Sequence, residues 1–162
     1  MAQIMELSLR PAAAEDEEFL YQVYASTRAE ELAQVNWDSE QKEAFLRMQF
    51  NAQAAFYREN YPAAEFQVIL VDGQAAGRLY VERRAGETRI MDIALLPQHR
   101  GRGIGTTLLK EIIAEGRPVS IHVEIFNPAL RLYTRLGFRK AADKGVYWLM
   151  RREPGEERKE DA

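Results

Sequence analysis

The spacing of apolar and polar residues in the first third of the chain predicts one short strand followed by two helices. The strand covers residues 4–9, and apolar residues at helical spacing predict a first helix over residues 19–35. Asp38 and Gln41 have the spacing of a capping box, which predicts a second helix that continues to Pro62. One apolar stripe of this second helix is expected to face the core, and it consists of Phe45, Met48, Ala52, Ala55 and Phe56.

The middle of the chain predicts three strands, two of them joined in a hairpin. Segments 66–71 and 74–83 flank the dipeptide Asp72-Gly73, which tolerates the positive φ angles of a two-residue hairpin turn. Segment 88–96 is apolar on both faces apart from Asp92, and this pattern is typical of a central strand.

The last third predicts a crossover between two strands and then a second hairpin. Apolar residues recur at helical spacing over residues 103–115, which predicts a helix, and alternate over 119–125, which predicts a strand. A short helix is then predicted as far as Leu136, and a hairpin over 138–150. Because a strand, a helix and a strand in succession need a crossover, segments 88–96 and 119–125 are expected to be parallel. The expected fold class is therefore α/β, with a mixed and mostly antiparallel sheet around a central parallel pair.

The length and the charge pattern set the expected domain organisation. A chain of 162 residues rarely holds more than one core, so residues 1–150 are expected to form a single domain. Residues 151–162 contain nine charged residues of mixed sign and no apolar side chain larger than Ala, so a charged tail without fixed structure is expected there.

The composition excludes several kinds of function. The chain has no cysteine, so disulfides, thiolate metal clusters and cysteine nucleophiles are excluded, and with only two histidines no metal site is expected. A net charge of −3 argues against nucleic acid as the main partner. The N-terminal residues lack the apolar run of a signal peptide or of a membrane span, so we expect a cytoplasmic protein with no membrane partner.

A basic, glycine-rich segment lies between the central strand and the helix that follows it. Glycines let several backbone N–H groups point at one place, and the helix N-terminus adds partial positive charge, so the segment is suited to a phosphate group. The alternative is a plain connection with two solvated arginines. The residues concerned are Arg100, Gly101, Arg102, Gly103, Ile104, Gly105 and Thr106.

Two common phosphate loops do not fit this segment. A Walker loop needs a Lys before its Ser or Thr, but Thr106 and Thr107 follow Gly105 here. A dinucleotide fingerprint needs a third glycine at the position that Thr106 occupies. Hydrolysis of ATP and dinucleotide binding are therefore disfavoured.

Two motifs instead resemble those of the GCN5-related N-acetyltransferase (GNAT) family. The segment 100–105 resembles the acetyl-CoA motif Q/R-x-x-G-x-G/A, and residues 127–138 resemble the run N-x-x-A-x-x-L-Y-x-x-x-G-F, with Ala129 one place early. The resemblance covers at least residues 66–150 and implies a fold in which the central parallel strands splay apart to admit the coenzyme. It also implies an acetyl-CoA-dependent N-acyltransferase of class EC 2.3.1.

The resemblance assigns coenzyme contacts to particular positions. Backbone groups of Ile93 and Leu95 would hold the pantetheine arm, and the N–H groups of residues 101–106 would hold the pyrophosphate. Asn127 would cap its helix and reach the coenzyme. Acetyl-CoA is then a co-substrate, and no metal is needed.

The resemblance also suggests catalytic residues. Tyr133 stands where the family has the acid that protonates the departing sulfur, although its spacing on the helix also suits a packing residue. The central-strand positions where members of the family carry a base are Met91 and Arg89 here, so His122 on the following strand is the candidate base and Glu124 is its reserve. Asp92 lies on the opposite face of its strand and is interpreted as a hydrogen-bonded structural carboxylate.

The expected reaction is direct transfer of an acetyl group from the thioester to a primary amine of a small molecule or peptide, without an acyl-enzyme. Aromatic residues crowd the second helix and are candidates for lining the amine pocket. The alternatives are an acyltransferase that uses a longer acyl-CoA, a catalytically silent acyl-CoA sensor and a nucleotide-binding regulator. The sequence leaves the amine acceptor and the oligomeric state open, a homodimer included.

Overall fold

A computed structural model describes residues 5–155, which contain one seven-stranded sheet and five α-helices. The strands lie in the order β1-β2-β3-β4-β5-β7-β6. The strands are β1 Leu7–Pro11, β2 Ala64–Val71, β3 Gln74–Arg83, β4 Thr88–Leu95, β5 Val119–Glu124, β6 Arg139–Asp143 and β7 Tyr147–Arg152. The helices are α1 Glu17–Thr27, α2 Ala29–Ala33, α3 Ser39–Asn60, α4 Ile104–Ile113 and α5 Leu130–Arg135.

The pairing of the strands confirms the expected fold class. Strand β4 is parallel to β5, with Thr88 opposite Val119 and Ile90 opposite Ile121. The pairs β1–β2, β5–β7 and β6–β7 are antiparallel, and the β6–β7 register shifts between Lys140 and Ala142. The sheet is therefore mixed and mostly antiparallel around one parallel pair.

The chain forms two compact units, and strands β3 and β4 each contribute residues to both of them. In the described chain, the first unit holds residues 5–80 and 92–102, and the second holds residues 81–91 and 103–155. The expectation of a single domain over residues 1–150 stays a prediction.

The core of the first unit lies where α1 and α3 meet strand β2. Tyr21 packs edge-on against Phe50 of α3 with 5.7 Å between ring centroids, and Val68 of β2 is fully buried beneath them. The hairpin turn between β2 and β3 has φ angles of 51° at Asp72 and 81° at Gly73, as the dipeptide predicts.

Helix α3 starts as predicted but buries a different face. The Gln41 N–H donates to Asp38 Oδ1 at 2.8 Å, and the Gln41 side chain accepts from the Asp38 N–H, which completes the capping box. Of the predicted stripe, Phe45 packs against the core cluster, but Met48 is 60% exposed and Phe56 is 53% exposed, so the stripe as a whole does not face the core. Leu46 and Phe50 are the buried residues of this helix.

The predicted first helix is divided into α1 and α2 at Arg28. The hydroxyl of Ser26 donates to the backbone carbonyl of Val23 at 2.7 Å, and the hydroxyl of Thr27 donates to the backbone carbonyl of Tyr24 at 2.6 Å. Such bonds compete with the backbone ladder and favour the end of a helix.

The second unit is built on the apolar face of α4, where Ile104, Leu108, Leu109 and Ile112 are buried. Strand β7 extends to Arg152, two residues into the segment that was expected to be a tail. The reason is pairing, because residues 151 and 152 continue the ladder with β5 and Arg152 Nε donates to the Leu136 carbonyl at 2.7 Å. The remainder of the predicted tail, from residue 156, lies outside the described residues, as does Ile4 of the predicted first strand.

Within residues 5–155, none of the helices has the length and apolar character that crossing a membrane requires.

Candidate functional site

The segment between β4 and α4 turns at two glycines with left-handed backbone. Gly101 has a φ of 74° and Gly103 a φ of 78°, a region that side chains other than glycine rarely adopt. Gly103 is also the N-cap of α4. The glycine spacing noted in the sequence therefore corresponds to the two backbone reversals that lead into the helix.

The first turn of α4 offers its backbone N–H groups to a ligand. The N–H of Thr107 donates to the carbonyl of Gly103 at 3.0 Å, which is the first i to i−4 hydrogen bond of the helix. The hydroxyl of Thr107 donates to the same carbonyl. The preceding N–H groups, those of residues 104–106, have no acceptor within the helix, which is general for a helix start. A Cβ added at Gly105 would meet nothing within 4 Å, so the backbone is open to approach there. This geometry suits the oxygens of a diphosphate.

The two arginines of the segment have different environments. Arg100 Nε donates to the Leu95 carbonyl at 3.0 Å, and its Nη2 donates to Ser26 Oγ at 3.2 Å. Arg102 is exposed, with its Nη1 3.4 Å from His99 Nδ1. Arg100 thus fastens the segment to strand β4, a role that the sequence analysis missed, while Arg102 leaves its charge at the surface.

Strand β3 comes unusually close to the part of β4 that holds Ile93 and Leu95. A Cβ on Gly77 would lie 2.2 Å from the carbonyl oxygen of Ala94 and 3.0 Å from the α-carbon of Leu95. Ile93 and Leu95 are themselves half-buried. The absence of a side chain at residue 77 therefore sets the position of this part of β4.

Asn127 and Tyr133 belong to the second unit. Asn127 Oδ1 accepts from the Ala129 N–H at 2.9 Å, but the helix begins at Leu130 with Ala129 as its N-cap, so Asn127 stabilises the preceding turn and does not cap the helix as expected. Tyr133 is 5% exposed, and its ring packs on Phe138 with 5.7 Å between centroids. Tyr133 therefore has a packing role in addition to any chemical one.

His122 lies on β5 opposite Leu149 of β7. His122 is exposed, but partial loss of hydration lowers its pKa below the usual 6.5, and the charges of Arg89, Lys144 and Arg84 lower it further, while Glu87 opposes them. The imidazole is therefore mainly neutral at pH 7 and able to accept a proton.

The structure confirms the interpretation of Asp92 as a structural carboxylate. Asp92 pairs with Nη2 of Arg78 on β3, and Arg78 is only 2% exposed. Asp92 is therefore already engaged in an ion pair with a buried partner, as a structural carboxylate would be. One sign of this cluster was visible in the sequence, because Arg78 interrupts the otherwise apolar run of residues 75–81. In the described part of the chain, no group of three or more His, Asp or Glu side chains is placed to hold a metal ion.

The mixed sheet with its parallel pair, together with the glycine-rich entry to α4, defines the architecture of the GNAT acyltransferases. The family model described as "Acetyltransferase (GNAT) family" matches residues 20–138, and the chain therefore belongs to this family of acetyltransferases.

Three similar proteins illustrate the range of the family. A mycothiol acetyltransferase of Nocardiopsis dassonvillei is 39% identical over 61 residues, which are 38% of this chain and 18% of the relative. A Bacillus subtilis protein, provisionally named a ribosomal protein bS18-alanine N-acetyltransferase, is 29% identical over 102 residues, which are 58% of this chain and 68% of the relative. The crystal structure of PaiA N-acetyltransferase from Thermoplasma acidophilum, in complex with coenzyme A, superposes with a TM-score of 0.68 at 19% identity, covering 91% of this chain and 99% of that one. This last similarity shows the shared fold.

Proposed function

We propose that this protein is an acetyl-CoA-dependent N-acetyltransferase that moves the acetyl group directly to a primary amine. The observation that carries the proposal is the open backbone at the start of α4, where Gly103 turns the chain and a Cβ added at Gly105 would meet nothing within 4 Å. A diphosphate needs several convergent N–H donors without side chains in the way, and this segment supplies them. The residues present therefore fit the coenzyme.

The proposed coenzyme contacts follow the chain through the glycine-rich segment. Backbone groups of Ile93 and Leu95 hold the amide-bearing arm of the coenzyme, and the N–H groups of residues 101–106 bind its pyrophosphate. Arg100 holds the segment in place through the Leu95 carbonyl, and Arg102 adds positive charge. Asn127 supplies a further polar contact. In this proposal acetyl-CoA supplies the activated acetyl thioester.

The chain's own side chains move the protons. The amine must lose a proton as its nitrogen bonds to the acetyl carbon, and neutral His122 accepts that proton, directly or through a water. The departing sulfur must gain a proton as the carbon–sulfur bond breaks, and the hydroxyl of Tyr133 donates it. Because the chain contains no cysteine, the acetyl group passes to the amine without a cysteinyl acyl-enzyme.

The experiment measures binding and turnover separately. Isothermal calorimetry with CoA tests the coenzyme site, and thiol release from acetyl-CoA with a panel of amines tests the reaction. We expect CoA to bind, at least one amine to release thiol, and Tyr133→Phe to lower kcat while CoA affinity is unchanged. Binding of CoA without thiol release from any amine would favour the silent sensor, and no heat with CoA would contradict the proposal altogether.

A further inference from the structure

A cavity of about 410 Å³ lies in the first unit, between the start of α1, the second half of α3 and strands β2 and β3. Four aromatic side chains line it, those of Phe50, Tyr57, Phe66 and Tyr80. Tyr80 meets Phe66 edge-on at 4.8 Å and Tyr57 at 5.9 Å between ring centroids, so the rings fix one another before any ligand binds. The volume is that of a site for a small organic molecule or a single large side chain.

Arg78 supplies a buried hydrogen-bond donor to this cavity. One of its nitrogens, Nη2, donates to Gln53 Oε1 at 2.9 Å and also pairs with Asp92. Its Nε has no hydrogen-bond partner among the described residues, although the side chain is only 2% exposed. Buried N–H groups are rarely left without an acceptor, so a ligand oxygen that reaches this N–H would complete its hydrogen bonding.

The charges around the cavity restrict the kind of acceptor atom. Asp92 already balances the charge of Arg78, and the other arginine of the wall, Arg58, is exposed to solvent, so a second buried anion would be poorly compensated. Burial also raises the pKa of Tyr57 and of Tyr80, which keeps both phenols neutral. Among the described residues of the wall, Glu17 alone carries a carboxylate, too little negative charge for a polyamine with several positive charges. A neutral carbonyl oxygen attached to an apolar or aromatic group fits these conditions.

The cavity lies in the same unit as Ile93 and Leu95, the residues of β4 that the proposed function assigns to the coenzyme. Arg78 is paired with Asp92, and Asp92 immediately precedes Ile93, the first residue that the proposed function assigns to the coenzyme. A ligand bonded to Arg78 is therefore connected through one ion pair to the strand on which the acetyl group would be presented.

We infer that this cavity binds the side group of the acceptor, and that the acceptor is an α-amine whose first residue is aromatic, as in an amino-acid amide or a peptide N-terminus, with a carbonyl oxygen that accepts from Arg78 Nε. This inference rests on the proposed function and narrows it from any primary amine to this class. Polyamines and amines without a carbonyl are excluded as preferred acceptors.

The test compares four acceptors and two matched variants of α3. The acceptors are phenylalaninamide, alaninamide, phenethylamine and spermidine. Ala54→Leu adds bulk to the cavity wall, whereas Ala55→Leu makes the same change at the next residue, which does not line the cavity. Thermal melting of both variants checks that they fold.

We expect kcat/KM with phenylalaninamide to exceed that with alaninamide or phenethylamine by about tenfold or more. Ala54→Leu should remove this preference by about tenfold, mainly through KM, and leave alaninamide nearly unchanged, while Ala55→Leu should change neither. Calorimetric titration of phenylalaninamide alone, into the wild type and Ala54→Leu, gives a second readout that does not depend on turnover.

The outcomes separate the inference from the proposed function. If CoA binds and amines react but spermidine is preferred, or if Ala54→Leu behaves like Ala55→Leu, the inference is wrong and the acetyltransferase proposal stands. If CoA does not bind and no amine reacts, the proposed function is wrong. Equal binding of phenylalaninamide to the wild type and to Ala54→Leu in the titration would still overturn the assignment of the cavity.

Discussion

Arg100 Nε donates a 3.0 Å hydrogen bond to the carbonyl oxygen of Leu95, five residues earlier in the chain. This bond fixes the end of β4 relative to the start of the glycine-rich segment. The two arginines of that segment therefore act in different ways, Arg100 through geometry and Arg102 through charge.

We predict that Arg100→Ala lowers both the melting temperature and the CoA affinity, because the Leu95 carbonyl and Ser26 lose their donor. Arg102→Ala should leave the melting temperature unchanged, because its 3.4 Å contact with His99 is long and lies at the surface, and should weaken CoA binding mainly at low ionic strength. Thermal melts and calorimetry at two salt concentrations measure both effects. Equal behaviour of the two variants would contradict this division of roles.

The backbone at Gly105 is expected to be needed for binding and not for folding. Gly105→Ala adds a methyl group that meets nothing in the protein, and alanine is the better helix former by about 1 kcal/mol, so the melting temperature should stay the same or rise. The same methyl group would stand where the phosphate approaches, so we expect CoA affinity to fall by about tenfold or more. Gly86→Ala, which is equally uncrowded and lies in a turn between β3 and β4, is the control and should bind CoA normally.

The capping box of α3 follows from the sequence, but the face that this helix buries does not. Apolar residues occupy both sides of α3, with Leu46 and Phe50 on one side and Met48 and Phe56 on the other. Periodicity cannot decide between two apolar faces, since the choice depends on how each packs against strand β2.

Paired substitutions measure this difference. Leu46→Ala should destabilise the protein by about 2–5 kcal/mol, because Leu46 is only 8% exposed and its loss leaves a cavity. Met48→Ala should change the free energy of unfolding by about 0.5 kcal/mol or less, because this side chain is mostly in solvent. Urea unfolding of both variants gives the comparison, and a large effect at Met48 would mean that the exposed face is covered in solution.

The glycine-rich segment was recognisable because its chemistry is local to a few consecutive residues. The aromatic cavity was not, because its donor Arg78 and the partner Asp92 are 14 residues apart on different strands. Only the folded sheet brings them together. The aromatic residues of the second predicted helix include Phe50 and Tyr57, and both line the cavity, whereas Phe56 points to solvent.

The pH dependence of turnover should report on His122. The pKa of His122 lies below the usual 6.5, so the imidazole is mainly neutral and able to accept a proton at pH 6.5 and above. We expect kcat to fall on the acidic side of pH 6.5, and His122→Gln to lower kcat by about 10²-fold or more and remove that limb. Glu124→Gln is the matched variant for the reserve base. If the acidic limb of the kcat profile remained in His122→Gln but disappeared in Glu124→Gln, Glu124 would be the base in place of His122.

Acid stability should depend on Asp16. Hydrogen bonds from Arg10 and from the Ala13 N–H lower the pKa of Asp16 from 3.8 to about 2. A lowered carboxylate pKa stabilises the fold above about pH 4, and that contribution is lost as the pH falls towards 2. Asp16→Asn should therefore be less stable than the wild type at pH 5 and should lose less stability between pH 4 and pH 2, as measured by urea unfolding.

The free energy of unfolding of Asp16→Asn should still fall between pH 4 and pH 2. Hydrogen bonds and charges also lower the pKa of three other carboxyl groups, those of Glu18, Glu115 and Asp143. If Asp16→Asn lost as much stability as the wild type between pH 4 and pH 2, Asp16 would contribute nothing to acid unfolding. The Arg10→Gln variant removes the partner instead of the carboxyl group and should change the same loss of stability.

Gly77 has no room for a side chain, since even one carbon there would overlap the Ala94 carbonyl. Any replacement must push β3 and β4 apart at the residues that the proposed function gives to the arm of the coenzyme. A substitution at residue 77 is therefore expected to change both the spacing of β3 and β4 and, under the proposed function, the affinity for the coenzyme.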